Sequence, residues 1–184
     1  MYITLFDILI LLAFLGGAML GFYRGFFRQA AATLVIYLSL VVATLSYRGL
    51  SRMLMGLTGQ SLGATDVLAF ALVMIIMLVL LTLISRDLLG HIEVERMGIW
   101  VSISGMVFGV LNATIICAVA LIVLRSATGG AEWPGYAGFQ AFLRRQATRS
   151  WMAYVLRPFM QLLLAIVKPW LFGHDLPPLL MNAF

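Results

Sequence analysis

The first limit on this chain's fold is set by its long uncharged stretches. No charged side chain occurs from Gln29 to Tyr47, from Val67 to Ser85 or from Met97 to Leu124, and Ile3–Phe22 is interrupted only by Asp7. A helix rising about 1.5 Å per residue needs about 20 apolar residues to cross the hydrocarbon of a bilayer. The spans read from this are Ile3–Phe22, Gln29–Ser46, Val67–Ser85 and one inside Met97–Leu124. The last run exceeds what a span needs, which places Trp100 at the headgroups. Thr65-Asp66, just ahead of the third run, reads as a helix N-cap. The expected fold is all-α: a polytopic membrane helical bundle with four transmembrane helices.

Composition supports this class and excludes others. Of 184 residues, 63% are hydrophobic and 10% charged, whereas a soluble domain is typically about a quarter charged. No linker rich in Ser, Pro or charge divides the chain, and no repeat of fixed period is found. Cys117 is the single cysteine, so no intramolecular disulfide can form. The net charge of +5 fits topology and lipid headgroups, with no nucleic acid expected as a partner. The first span lacks a basic leader, carries an acid early and runs directly into another span. It is therefore expected to be retained and not cleaved as a signal peptide.

The C-terminal third follows a different pattern, dividing the chain into a four-span bundle, 1–124, and a tail, 125–184. Arg125 to Pro134 reads as a loop. Phe139, Phe142, Leu143 and Gln146 then fall on one helical stripe while Arg145 and Arg149 share another face, the pattern of an amphipathic helix in the membrane interface. Phe159–Val167 alone is too short to span. Residues 151–172 form a possible fifth span at the cost of including Arg157 and Pro158, and an interfacial or re-entrant tail is the preferred reading. Counted close to the span ends, basic residues are almost level on the two sides, so orientation is not determined.

Little in the chain resembles a chemical site. The one polar cluster, Arg86, Asp87, His91, Glu93, Glu95 and Arg96, reads as a solvated connection with local ion pairs. No catalytic or metal-binding fingerprint occurs, so no catalytic residue, metal or cofactor is expected, and the protein is not expected to be an enzyme. Asp7 is the one acid inside a span. Its place near a helix start reads as interfacial and favourable to the helix N-terminus, and transport would need further acids that the spans lack.

The glycines are more informative. Gly17, Gly21 and Gly25 recur at four-residue spacing, as do Gly105 and Gly109. Helices in lipid associate through close packing, which small residues at i, i+4 permit. Arg24 and Arg28 bracket Phe26 between the first two spans, where they are expected to pin a tight hairpin at the headgroups together with Phe22, Tyr23 and Phe27.

An acid early in the first span, a Gly-rich end, then Arg24-Gly25-Phe26 and a second span: this arrangement resembles the colicin V production protein (CvpA) family. Gln29 stands where the family carries a polar or acidic residue. Gly105 and Gly109 fit the glycines of a second family block, although Val101-Ser102 occupies its Asp-Arg position and Asn112 stands where Arg is usual. The resemblance covers residues 3–124. It implies a small four-span protein of the bacterial inner (cytoplasmic) membrane, linked to colicin V export or production and to envelope maintenance. Expected partners are membrane lipids and other membrane proteins, in a larger assembly or a homo-oligomer. Two other readings stand beside it: an accessory subunit of a respiratory or photosynthetic complex, and a small channel or transporter using Asp7, Arg24 and Arg28.

Overall fold

A computed structural model describes residues 4–58, 62–90, 98–129 and 137–171. Among them all regular structure is helical: α1 (Leu5–Thr58), α2 (Leu62–Gly90), α3 (Gly98–Gly129), α4 (Ala137–Arg149), α5 (Trp151–Val155) and α6 (Arg157–Val167), followed by a 3-10 turn, Lys168–Leu171. Three helices, α1 to α3, are long and apolar enough to cross a membrane. Their outward side chains include Leu12, Leu72, Ile75 and Val107, surfaces that suit hydrocarbon and not water.

α1 is not one rod. At Gly25 the backbone turns to φ 73°, ψ 172°, a region that is essentially reserved for glycine. The two arms, residues 5–24 and 26–58, then pass α3 in opposite senses. On the first arm Gly17 meets Gly109 and Gly21 meets Gly105, so numbers rise on one helix as they fall on the other. On the second arm Gln29 meets Asn112, and Leu40 and Thr44 meet Val119 and Ile122, so both numbers rise together. One glycine torsion thus divides α1 into two oppositely directed arms without a loop. α2 returns along the second arm, with Phe70 edge-on to Tyr47 (ring centroids 6.3 Å apart) and Asp66 accepting from the Ser51 hydroxyl.

The crossing of the first arm and α3 leaves no room for side chains. A Cβ on Gly17 would stand 2.6 Å from the Gly109 carbonyl oxygen and 2.9 Å from the Ala113 methyl. A Cβ on Gly21 would overlap the Gly105 carbonyl oxygen, and in the reverse direction Gly105 and Gly109 face the carbonyls of Gly21 and Gly17 in the same way. Such contact gathers dispersion and Cα–H···O attraction over two backbones, which is how helices associate where burial in lipid gains little.

Four hydroxyls inside the bundle satisfy themselves locally. Thr33, Ser39, Thr44 and Thr114 each donate to the carbonyl four residues earlier, so none requires a partner helix. Around them lies an apolar cluster that includes Leu40, Ala43, Phe70, Ala118 and Ile122.

The tail departs from its sequence reading in several ways. α3 continues to Gly129, beyond the boundary at 124, with the Thr128 hydroxyl bonded to the Leu124 carbonyl at 2.8 Å. In α4, by contrast, the expected apolar stripe is kept on the outside: Phe139 and Phe142 point away from the bundle, while Gln140 and Ala147 are buried against it. Residues 151–171 do not form one helix: α5 has 5 residues and α6 has 11, well short of a span. Pro158 sits in the first turn of α6, where its missing N–H is not required. Leu156, Met160, Leu163 and Val167 turn inward at helical spacing. Leu163 and Val167 share one small apolar cavity with Leu40 and Val119, and the Trp170 indole donates to the Tyr37 hydroxyl at 2.6 Å. α6 therefore climbs the side of the bundle from the Asp7 end. Thr65-Asp66 also differs from expectation. α2 begins at Leu62, so Asp66 lies inside the helix and is tied to Ser51.

Gly21→Ala puts a methyl onto a carbonyl of a helix that cannot move without opening the crossing, and should destabilise by about 1–3 kcal/mol. Gly49→Ala, also helical but with nothing within 4 Å, should be neutral or stabilising by up to about 1 kcal/mol. Denaturation of the two purified variants in detergent checks this; equal stability would remove the crossing from its central role.

Candidate functional site

Three groups of residues stand out at the two ends of the crossing. At the turn, Arg24 and Arg28 are exposed beside Phe22, Tyr23 and Phe27. Phe26 departs from its expected place among the headgroup anchors. It is half-buried and edge-on to Phe108, with ring centroids 5.0 Å apart. The reversal at Gly25 explains this, since it aims the next side chain at α3. Val101 lies in ordinary contact with the position a Gly25 Cβ would take.

One turn along the second arm lies a polar pair. Gln29 and Asn112 are both buried, and the Asn112 amide donates to the Gln29 backbone carbonyl at 3.1 Å. Their side-chain oxygens, Gln29 Oε1 and Asn112 Oδ1, have no hydrogen-bond partner. The bond joins the second arm to α3 close to the point where glycines join the first. Interhelical bonds of this kind contribute roughly 1 kcal/mol. These are two positions singled out by the family pattern, here occupied by uncharged amides that meet across the bundle.

The opposite end is organised by Asp7, which is 8% exposed despite its place in the first turn of α1. One carboxylate oxygen, Oδ2, accepts from the Thr4 backbone N–H at 2.8 Å and from the Thr4 hydroxyl at 2.7 Å. The Asp7 N–H is bonded in return to Thr4 Oγ1 at 3.3 Å, completing a reciprocal cap of α1. The other oxygen, Oδ1, accepts from the Ser150 hydroxyl at 2.6 Å and the Met152 N–H at 2.8 Å. Ser150 is itself the N-cap of α5, accepting from the Ala153 N–H at 3.1 Å. A single carboxylate thus caps the first helix and the start of α5 and ties them together. Two further polar contacts hold α4 to the end of α3: Arg125 donates to the Ala147 carbonyl at 3.4 Å and Gln140 to that of Thr128 at 3.3 Å.

The sequence reading found Asp7 but not Ser150 or Met152. Thr4-x-x-Asp7 has the spacing of a capping box, and Ser150 ahead of an apolar turn is an N-cap signal, so both caps were legible. Their union was not. The cluster around His91, Glu93, Glu95 and Arg96 lies outside the described residues. Among the described residues no three His, Cys, Asp or Glu side chains converge on a metal position.

With both motifs placed, comparison with known families is decisive. The family model described as colicin V production protein matches residues 6–161. The chain belongs to that family. No curated protein and no solved structure matches it. For a CvpA-family chain the extent of the match is informative, because the resemblance read from motifs ended at 124. The match runs on through α4 and α5 into α6, and therefore includes Asp7, Ser150 and Met152. The joint between the first helix and the tail lies within the family unit. Family and helices together make this a multi-pass membrane protein.

Replacing Asp7 should loosen the tail before it unfolds the bundle. Hydrogen bonds to a charged group contribute about 1.5–3 kcal/mol, so Asp7→Ala should raise the rate of trypsin cleavage at Arg144, Arg145 and Arg149 by about tenfold or more. Asp7→Asn, which keeps one acceptor oxygen, should fall between. Wild-type cleavage rates in Asp7→Ala would show that the tail is held by other contacts.

Proposed function

We propose that this protein crosses the bacterial inner membrane four times and acts through contacts with other membrane proteins in colicin V export or envelope maintenance, with no catalysis of its own. Membership of the colicin V production family carries the reading. Support for four crossings comes from the arms of α1, which pass α3 in opposite senses and are each long enough to span. The glycine faces are used up inside the chain, so a partner would meet the outer apolar faces. Asp7, on which a transport mechanism would depend, has both oxygens committed to the joint.

The folded tail also supports an orientation. Arg48 and Arg52 lie past the end of the bundle where Asp7 sits, and the Asp7 joint draws Arg144, Arg145, Arg149 and Arg157 toward the same end. The opposite end carries Arg24, Arg28 and Arg86 among the described residues. By the positive-inside rule the Asp7 end faces the cytoplasm. In a Cys117→Ser background, Arg28→Cys and Arg86→Cys should react with an impermeant maleimide from outside intact cells, and Arg52→Cys and Arg149→Cys should not. Labelling of Arg28→Cys and Arg149→Cys from the same side would exclude this topology.

Partnership is tested by purification from the native membrane in mild detergent, with mass spectrometry of co-migrating proteins. Recovery with an export or envelope component is expected. Isolation as a free monomer would sink the proposal, and stoichiometric recovery with redox or pigment proteins would replace it with the accessory-subunit reading.

A further inference from the structure

We infer that the outer face of α4 and the head of α6 form a binding surface for the phosphate headgroups of anionic phospholipids in the leaflet at the Asp7 end. The inference rests on the membrane placement proposed above and names the lipid class that this end selects.

Arg144, Arg145, Arg149 and Arg157 are all exposed. Apart from the stacking of Arg157 on the Tyr154 ring, 5.4 Å from its centroid, none has a side-chain bond to a protein group among the described residues. The local acid cannot serve them, since both oxygens of Asp7 are taken up by Thr4, Ser150 and Met152. Arg157 also lies near enough to Arg125 for their charges to repel. The surface therefore gathers positive charge that the described protein leaves uncompensated.

Its apolar neighbours indicate what supplies the anion. Phe139 is 55% exposed and Phe142 50%, on the helix that carries three of the arginines, and Trp151 and Tyr154 are exposed immediately beyond. Aromatic rings beside arginines on an outward helix face suit the boundary between hydrocarbon and headgroups. A lipid meets both parts of this surface at once, the rings with its chains and the guanidinium groups with its phosphate. Guanidinium pairs bidentately with phosphate oxygens, and basic residues near an anionic leaflet each contribute about 1 kcal/mol. The Asp7 joint holds the surface at a fixed height against the bundle, which turns a general attraction into a located one.

Quenching of Trp151 by brominated lipid tests this in the full-length chain, with Trp100, Trp133 and Trp170 changed to Phe. Reconstitution is into phosphatidylcholine vesicles containing a minority of brominated phosphatidylglycerol or, in parallel, the same fraction of brominated phosphatidylcholine. Quenching by the anionic lipid should be at least about twofold greater, and the excess should fall as salt is raised. The triple variant Arg144→Gln, Arg145→Gln, Arg149→Gln should lose the excess, while Arg24→Gln, Arg28→Gln at the other end should keep it. Equal quenching by the two lipids would overturn the headgroup preference, leaving the arginines to an acidic protein partner and the membrane placement intact. An excess that survives in the triple variant would also overturn it. No quenching by either lipid would overturn the membrane placement of this end itself.

Discussion

Two backbones meeting with only glycine between them, Gly17 and Gly21 against Gly109 and Gly105, form the contact on which the rest of this structure depends. In lipid an apolar side chain gains little by turning inward, so the helices cannot be assembled by hydrophobic burial. Close backbone approach supplies the attraction instead. It also determines geometry: once the first arm lies on α3, the turn at Gly25 decides where the second arm must descend. α2 follows the second arm, and α6 packs on α3 beside it.

Polar groups in this bundle are few, and they divide between local bonds and joints. Thr33, Ser39, Thr44 and Thr114 return to carbonyls of their own helices, whereas Ser51 reaches across to Asp66. Asn112 links the second arm to α3, and Asp7 links the first helix to the tail. The backbone crossing holds the bundle, the amide bond trims it, and the carboxylate holds the tail against it. Each joint connects segments far apart in the chain, so that the broken outer helices behave as part of the same unit the family match covers.

A protein built this way has its interior committed to its own packing. What it offers to others is its outside: apolar flanks, an aromatic and arginine-bearing turn at one end, and a helical layer rich in arginine at the other. That division is consistent with a family known for a role in colicin V production and supports action through contact.

Much of the architecture was legible in the chain. Uncharged stretches of bilayer length located the helices, because charge in hydrocarbon is costly and helix rise is constant. The glycine spacing marked which faces approach closely, and Arg24-Gly25-Phe26 marked a reversal. The tail was less legible. Its stripe of Phe139 and Phe142 marked an apolar helix face, and those rings do point outward; what the stripe could not mark was that Gln140 and Ala147 are the side chains that dock on the bundle. The meeting of Gln29 with Asn112, and of Asp7 with Ser150, could not be read at all. By itself the sequence determined where helices form, which of them can lie in lipid and which faces are small enough to touch. Only the tertiary structure decided which face meets which, since that depends on the direction of each arm, and one glycine torsion at residue 25 sets it.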